Sequence, residues 1–154
     1  MSASERLAEL GLDLPEVAKP LAAYVPAKRV GDLVYTAGQL PLFEGRLLGE
    51  GKVGAEVTPT EAAALARQCV LNALAAVDSI TSVDQITQVV KVVGFVASAP
   101  GFTGQPGVVN GASELLVDIF GDAGVHARSA VGVSELPLNA PVEVEIIVEV
   151  GPAL

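Results

Sequence analysis

Apolar and polar residues alternate with the period of a β-strand in the C-terminal part of the chain. In residues 142–150 every second residue is Val or Ile, and three glutamates occupy positions between them. Because successive side chains of a strand point to opposite faces, the apolar set defines a core-facing side. Residues 128–136 form the preceding strand, in which we expect Val131 and Val133 to face the core. Residues 88–97 are apolar on both alternating sets, which is typical of a strand covered on both faces.

Two other segments carry the apolar spacing and the end signals of helices. Residues 58–61 contain Thr-Pro-Thr-Glu, a capping box with proline at the first helical position, and predict a helix to about Val77. Residues 107–120 place apolar residues at helical spacing and are followed by Gly121, a residue common at helix C-termini. Shorter elements predicted around them are helical turns at 4–10, an extended arm at 12–26, a hairpin with strands at 24–30 and 33–37, a turn at 43–46 leading into a short strand, and a short helix after residue 82.

The order of these elements predicts an α+β fold with one mixed sheet and both helices on one face. Two helices cannot cover both faces of a sheet of five or six strands, so we expect sister subunits to cover the other face. The composition allows this, because 51% of the residues are hydrophobic and 18% are charged, below the usual value of about 25%. A well-filled core is the alternative explanation. We predict an N-terminal helix and arm over residues 1–23 and a single domain over residues 24–150.

Charge and residue counts exclude several classes of function. The net charge is −9, which disfavours nucleic acid and anionic membranes as partners. The chain has one histidine and one cysteine, too few for a zinc site or an intrachain disulfide. We therefore expect no metal. The N-terminus lacks an apolar signal core and no stretch is long enough to span a membrane, so we expect a cytoplasmic protein.

One arginine stands out in the second half of the chain. Arg128 is the only Lys or Arg between residue 92 and the C-terminus, where seven acidic residues also lie. Strand alternation places Arg128 and Glu143 together on the face away from the helices, beside a row of small residues at 130, 132 and 134. Two interpretations are open. Arg128 either binds a small anion in a pocket completed by another subunit, or pairs with Glu143 or Glu145 across the strands.

Several motifs resemble the Rid/YjgF family of reactive-intermediate deaminases. They are Tyr-Thr-Ala-Gly-Gln-Leu-Pro at 35–41, Val-Asn-Gly at 109–111, Ala-Arg-Ser at 127–129, Leu-Pro at 136–137 and Val-Glu-Val-Glu at 142–145. This resemblance implies a chorismate-mutase-like fold. It also implies a homotrimer in which the sheets form a central barrel, the helices lie outside and three clefts lie between subunits.

The resemblance also implies a reaction, the hydrolysis of a 2-imino or 2-enamino acid to a 2-keto acid and ammonia without a cofactor. Arg128 would bind the substrate carboxylate, with help from the backbone N–H of Gly38, and Glu143 would position or activate water. Tyr24 and Asn110 would line the cleft, with Ala130 where many relatives have cysteine.

Other positions depart from the family pattern and leave alternatives open. Gly132 stands where deaminating members usually have an acidic or amide residue, and Ala37 where many have serine. The alternatives are a trimer that binds small carboxylates without catalysis and, on the same fold, a ribonuclease.

Overall fold

The sheet is mixed and is built mainly from the second half of the chain. The computed structural model describes residues 1–17, 19 and 22–152. In chain order the strands are β1 (Ala27–Val30), β2 (Leu33–Thr36), β3 (Leu42–Phe43), β4 (Arg46–Leu47), β5 (Ile86–Ala97), β6 (Ala127–Val133) and β7 (Val142–Val150). Five of them form one sheet in the order β1-β2-β7-β5-β6, and β3 pairs with β4 in a separate hairpin. Only β5 and β6 run parallel in the main sheet.

The helices begin and end close to the predicted positions. They are α1 (Ala3–Glu9), α2 (Pro59–Asp78) and α3 (Gln105–Phe120). The capping box predicted for α2 is confirmed, since Thr58 accepts from the Glu61 N–H and Glu61 accepts from the Thr58 N–H. The short helix after residue 82 is a 3-10 turn at Val83–Gln85.

Helices α2 and α3 pack side by side on one face of the sheet, as predicted. Every second residue of β7, from Val142 to Val150, is buried beneath them. Two glycines permit this close packing. A Cβ at Gly111 of α3 would lie 1.9 Å from the carbonyl oxygen of Ala63 in α2, and a Cβ at Gly94 of β5 would lie 2.4 Å from a methyl of Val109.

The N-terminal helix belongs to the same core. The side chain of Leu7 in this helix is buried. Ser4 donates hydrogen bonds from its N–H and its hydroxyl to Asp84. Parts of the predicted arm, at residues 18, 20 and 21, lie outside the described residues. The boundary at residue 23 stays a prediction.

Strand β5 differs from its prediction at one end. The register is irregular between Val89 and Lys91, so that Val89 and Val92, three residues apart, are both buried on the same face and Val90 is 36% exposed. Within one chain the helices cover one face of this strand, and cover of the other face by sister subunits stays a prediction. The apolar residue Phe95 is half-buried on the face without helices.

The predicted orientation of the strand containing Arg128 is also wrong. In the parallel pairing of β5 with β6, Arg128 lies opposite buried Val92, and Val131 lies opposite Phe95. Arg128 therefore faces the helices, and Val131, which is 45% exposed, faces away. The reason is that β6 is an edge strand beside α3. The helix presents a polar face to this strand, whereas the valines of β6 would need apolar cover. The strand ends at Val133, and residues 137–139 form a 3-10 turn.

Candidate active site

Arg128 is half-buried between β6 and the first turns of α3. Its Nη1 donates hydrogen bonds to Oδ1 of Asn110, at 2.8 Å, and to Oγ of Ser113, at 3.2 Å. These two acceptors are three residues apart on α3 and therefore share a helix face. The structure thus joins Arg128 to Asn110, which the resemblance had placed in the same cleft, and adds Ser113. The sequence signal for Ser113 was its spacing from Asn110.

The guanidinium of Arg128 has no acidic partner in the described part of the chain. The ion pairs there are Arg6–Glu9, Arg29–Asp32 and Lys52–Glu135. The predicted alternative, an ion pair of Arg128 with Glu143 or Glu145, is therefore wrong. Asn110 and Ser113 are neutral acceptors, so the positive charge remains uncompensated. Nε and Nη2 make no hydrogen bond to any described residue, which leaves one edge of the fork open to a carboxylate.

A histidine lies behind this arginine. Nε2 of His126 is 2.9 Å from Oγ of Ser113, and its Nδ1 is 2.6 Å from the carbonyl oxygen of Gly124. His126 is the single histidine of the chain, and its contact with Gly124 holds the ring near the start of β6. Its contact with Ser113 links it to Arg128.

The row of small residues next to Arg128 is only partly vacant. Ala130 is half-buried on the helix side and packs against the core. At Gly132 an added Cβ would lie 2.8 Å from Nε2 of Gln105 and 2.9 Å from Oγ of Ser98. Polar groups from α3 and the preceding loop thus lie next to Gly132, which stays exposed, at the position where deaminating members usually have an acidic or amide side chain.

Gly38, Glu143 and Tyr24 form a second cluster on the other side of the molecule. Tyr24 and Gly38 line a cleft of about 370 Å³ together with Pro137 and Leu138. A Cβ at Gly38 would lie 2.9 Å from Oε1 of Glu143. The N–H groups of Ala37 and Gln39 donate to backbone carbonyls, whereas that of Gly38 has no hydrogen bond to a described residue. A backbone donor and a carboxylate therefore lie side by side.

The carboxyl group of Glu143 has a shifted pKa. Burial is the main cause, and the negative charge of Glu145 on the same strand adds to it. Both disfavour the ionised form, so the pKa of Glu143 lies above the usual value of a glutamate. A carboxylate with a raised pKa is a better proton acceptor than an ordinary one.

The two clusters do not meet within one chain. Glu143 lies opposite Phe95, and Phe95 lies opposite Val131, so these three share the face without helices. Arg128 lies on the helix face. The sequence-based prediction that Arg128 and Glu143 share a face is therefore wrong.

Other features of the described residues leave the chemistry to these clusters. A larger cavity, of about 640 Å³, is lined by residues 13–17 and the β3–β4 hairpin and contains none of the predicted site residues. No group of three or more metal-ligating side chains occurs in the described ranges. Among the described helices, none has the length and apolar character needed to cross a membrane.

Comparison with known proteins agrees with the fold. Residues 4–150 match the model of a family described as "YjgF/chorismate_mutase-like, putative endoribonuclease". The Trypanosoma cruzi protein TCP17 is 41% identical over 145 residues, which cover 93% of this chain and 91% of that protein.

Two crystal structures superpose along nearly the whole chain. Atu1372 from Agrobacterium tumefaciens, described as having unknown function, is 43% identical with a TM-score of 0.89, covering 97% of this chain and 92% of that one. A "putative endoribonuclease" from Shewanella oneidensis is 35% identical with a TM-score of 0.94, covering 97% of this chain and 100% of that one.

Proposed function

The chain belongs to the YjgF/chorismate mutase-like family, and we propose that it hydrolyses 2-imino or 2-enamino acids to 2-keto acids and ammonia. The observation that carries the proposal is the state of Arg128. Its guanidinium is held by the neutral side chains of Asn110 and Ser113, and its Nε/Nη2 edge is free of described partners. A half-buried cation held in this way favours a planar carboxylate as its ligand.

We propose further that the site is completed between subunits of a homotrimer. Arg128 and Asn110 lie on the helix side, and Gly38 and Glu143 lie toward the opposite side. A substrate of a few atoms can contact both clusters only when they come from different chains. The face without helices carries the exposed or half-buried apolar residues expected of a subunit interface, namely Tyr35, Val93, Phe95, Val131 and Ile147.

The proposed reaction needs few protein groups. Arg128 of one subunit binds the carboxylate, and the N–H of Gly38 donates a second hydrogen bond. Glu143 accepts a proton as water adds to the imine carbon. The C=N electron pair moves to nitrogen, which takes this proton from Glu143. In the resulting carbinolamine the hydroxyl proton passes to nitrogen, the C–N bond breaks, and ammonia leaves as the keto group forms. Holding water and imine together supplies much of the rate gain.

Tyr24 and Ala130 have supporting parts in this proposal. Tyr24 borders the cleft next to Gly38 and is 57% exposed in the single chain, so a ligand or a second subunit can cover its ring. Ala130 follows Arg128 by two positions on the same face. Its methyl group limits the ligand less than the cysteine common in the family.

A direct test follows the decay of an imine that an amino-acid oxidase generates from leucine. Semicarbazide traps the imine that remains, so its loss can be timed. We expect wild-type protein to accelerate the loss and Arg128→Ala to reduce kcat/KM by about 100-fold, because a charged hydrogen-bond pair is lost from a desolvated site. Arg128→Lys keeps the charge without the fork and should lie between them.

Equal rates for wild type, Arg128→Ala and buffer would overturn the proposal. The alternative is a trimer that binds small carboxylates without turnover. It predicts that 2-oxobutyrate raises the melting temperature of the wild type, but not of Arg128→Ala, while imine decay stays at the buffer rate. The net charge of −9 argues against RNA as the substrate, because phosphate binding depends on clustered basic residues.

A further inference from the structure

A chain of three polar side chains runs behind the ligand edge of Arg128. It links Arg128 Nη1 to Ser113 Oγ at 3.2 Å and Ser113 Oγ to His126 Nε2 at 2.9 Å. We propose that Ser113 and His126 are positioning residues, which hold Arg128 so that its Nε/Nη2 edge faces the substrate carboxylate. This rests on the proposed function of Arg128 and extends it to two residues outside the cleft.

The direction of each hydrogen bond follows from the end of the chain. His126 Nδ1 is 2.6 Å from the carbonyl oxygen of Gly124, which can only accept, so Nδ1 carries a proton. In the neutral ring Nε2 is then an acceptor. The hydroxyl of Ser113 therefore donates to Nε2, and its lone pairs face the N–H of Arg128. The imidazole thus fixes Ser113 as an acceptor toward the arginine.

This arrangement decides which edge of the guanidinium is available. The two hydrogens of Nη1 go to Asn110 Oδ1 and Ser113 Oγ. Nε–H and one N–H of Nη2 are parallel and suit the two oxygens of one carboxylate. Without the Ser113 acceptor, the guanidinium could rotate about the side-chain torsions of Arg128. Its Nε/Nη2 edge would then face the substrate carboxylate less often.

Arg128, Ser113 and His126 form a hydrogen-bonded relay, and its far end, at His126, is anchored to α3. Gly124 is buried, and a Cβ there would lie 2.3 Å from the carbonyl oxygen of Leu116. Its own carbonyl is therefore held at a fixed place relative to the helix that also carries Asn110 and Ser113. The same helix thus fixes both ends of the relay.

The first test needs no ligand. The chain contains a single histidine, so the imidazole signals of tag-free protein need no assignment. Long-range ¹H–¹⁵N correlation spectra of the neutral ring should show the tautomer with its proton on Nδ1. A proton on Nε2 would overturn the relay, because Ser113 would then have to accept from the imidazole.

The second test measures binding of 2-oxobutyrate by calorimetry in matched variants. Ser113→Ala and His126→Phe remove a relay group, whereas Ser113→Thr keeps a hydroxyl and His126→Gln keeps an acceptor near the Nε2 position. We expect about three- to tenfold weaker binding in the first pair, the value of one oriented hydrogen bond, and near wild-type binding in the second. Wild-type affinity in Ser113→Ala and His126→Phe would contradict the proposal.

The outcome also separates this inference from the proposed function. If wild type and Arg128→Ala bind 2-oxobutyrate equally poorly, the carboxylate site itself is refuted. The relay is then decided by the tautomer and by ¹⁵N relaxation of the Arg128 Nε–H group. The relay requires that this group become more mobile in Ser113→Ala, and unchanged mobility would refute it.

Discussion

At the scale of single residues, the pKa of Glu143 determines how the proposed reaction depends on pH. Burial, and then the charge of Glu145, raise it above the usual value for glutamate. We expect kcat/KM to rise with pH as Glu143 ionises, with a midpoint above the pKa of an unperturbed glutamate. The midpoint is read from initial rates of imine hydrolysis, with the buffer reaction subtracted at each pH.

Two variants separate the role of Glu143 as the base from the effect of Glu145 on its pKa. Glu143→Gln should lose the rise and about 100-fold of the rate, since glutamine cannot accept the proton. Glu145→Gln removes the like charge, so the pKa of Glu143 should fall and the midpoint should move to lower pH. A pH profile that is the same in Glu143→Gln and wild type would show that another group is the base.

The same shift predicts a change in stability with the opposite dependence on pH. Because the folded state favours protonated Glu143, the contribution of this side chain to the free energy of unfolding is fully present below the usual glutamate pKa. That contribution is lost as the pH rises through the raised value. Glu143→Gln should therefore be more stable than wild type at pH 7, and the difference should vanish at acid pH. Urea unfolding at several pH values checks this.

At the scale of elements, the contact between α2 and α3 places Asn110 and Ser113 beside Arg128. Gly111 makes this contact possible, because a Cβ there would lie 1.9 Å from the Ala63 carbonyl oxygen. We expect Gly111→Ala to lower the free energy of unfolding by about 1–3 kcal/mol through overpacking. Urea denaturation followed by circular dichroism gives the value.

Gly107 supplies the matched control on the same helix. An added Cβ there meets no atom within 4 Å, so Gly107→Ala should stabilise the protein by about 0.4–1 kcal/mol by restricting the unfolded chain. Equal effects of the two substitutions would contradict the role of Gly111 as the point of closest helix contact.

Element boundaries could be predicted from sequence because local signals determine them. The Thr58–Glu61 capping box marks the start of α2, and Gly121 marks the end of α3. The orientation of the β6 side chains could not be predicted from sequence. Apolar or small residues occupy both alternating sets of this strand, and its register with β5 depends on tertiary packing. Choosing Val131 as a core residue assumed that a valine must lie in the core of its own chain. Placing Arg128 on the wrong face, and missing its contact with Ser113, followed from that choice.

At the scale of the whole molecule, the face of the sheet without helices is the proposed subunit interface. Val131 is 45% exposed there and lies in one row with Phe95 and Glu143. We expect wild-type protein to have three times the mass of one chain in sedimentation equilibrium. Val131→Asp should dissociate it, because a carboxylate would be buried without a partner. The matched control is Val117→Asp, at a residue of α3 that is 41% exposed and should leave the mass unchanged.

Complementation between two inactive variants tests most directly whether Arg128 and Glu143 act in one site formed by two chains. Arg128→Ala and Glu143→Gln are purified separately, unfolded, mixed in equal amounts and refolded together. A site is intact when one chain supplies Arg128 and its neighbour supplies Glu143, so the mixture should recover about a quarter of wild-type imine hydrolysis, half of the chains carrying each group. Each variant refolded alone should stay inactive. No recovery in a mixture that has formed trimers would contradict the shared site.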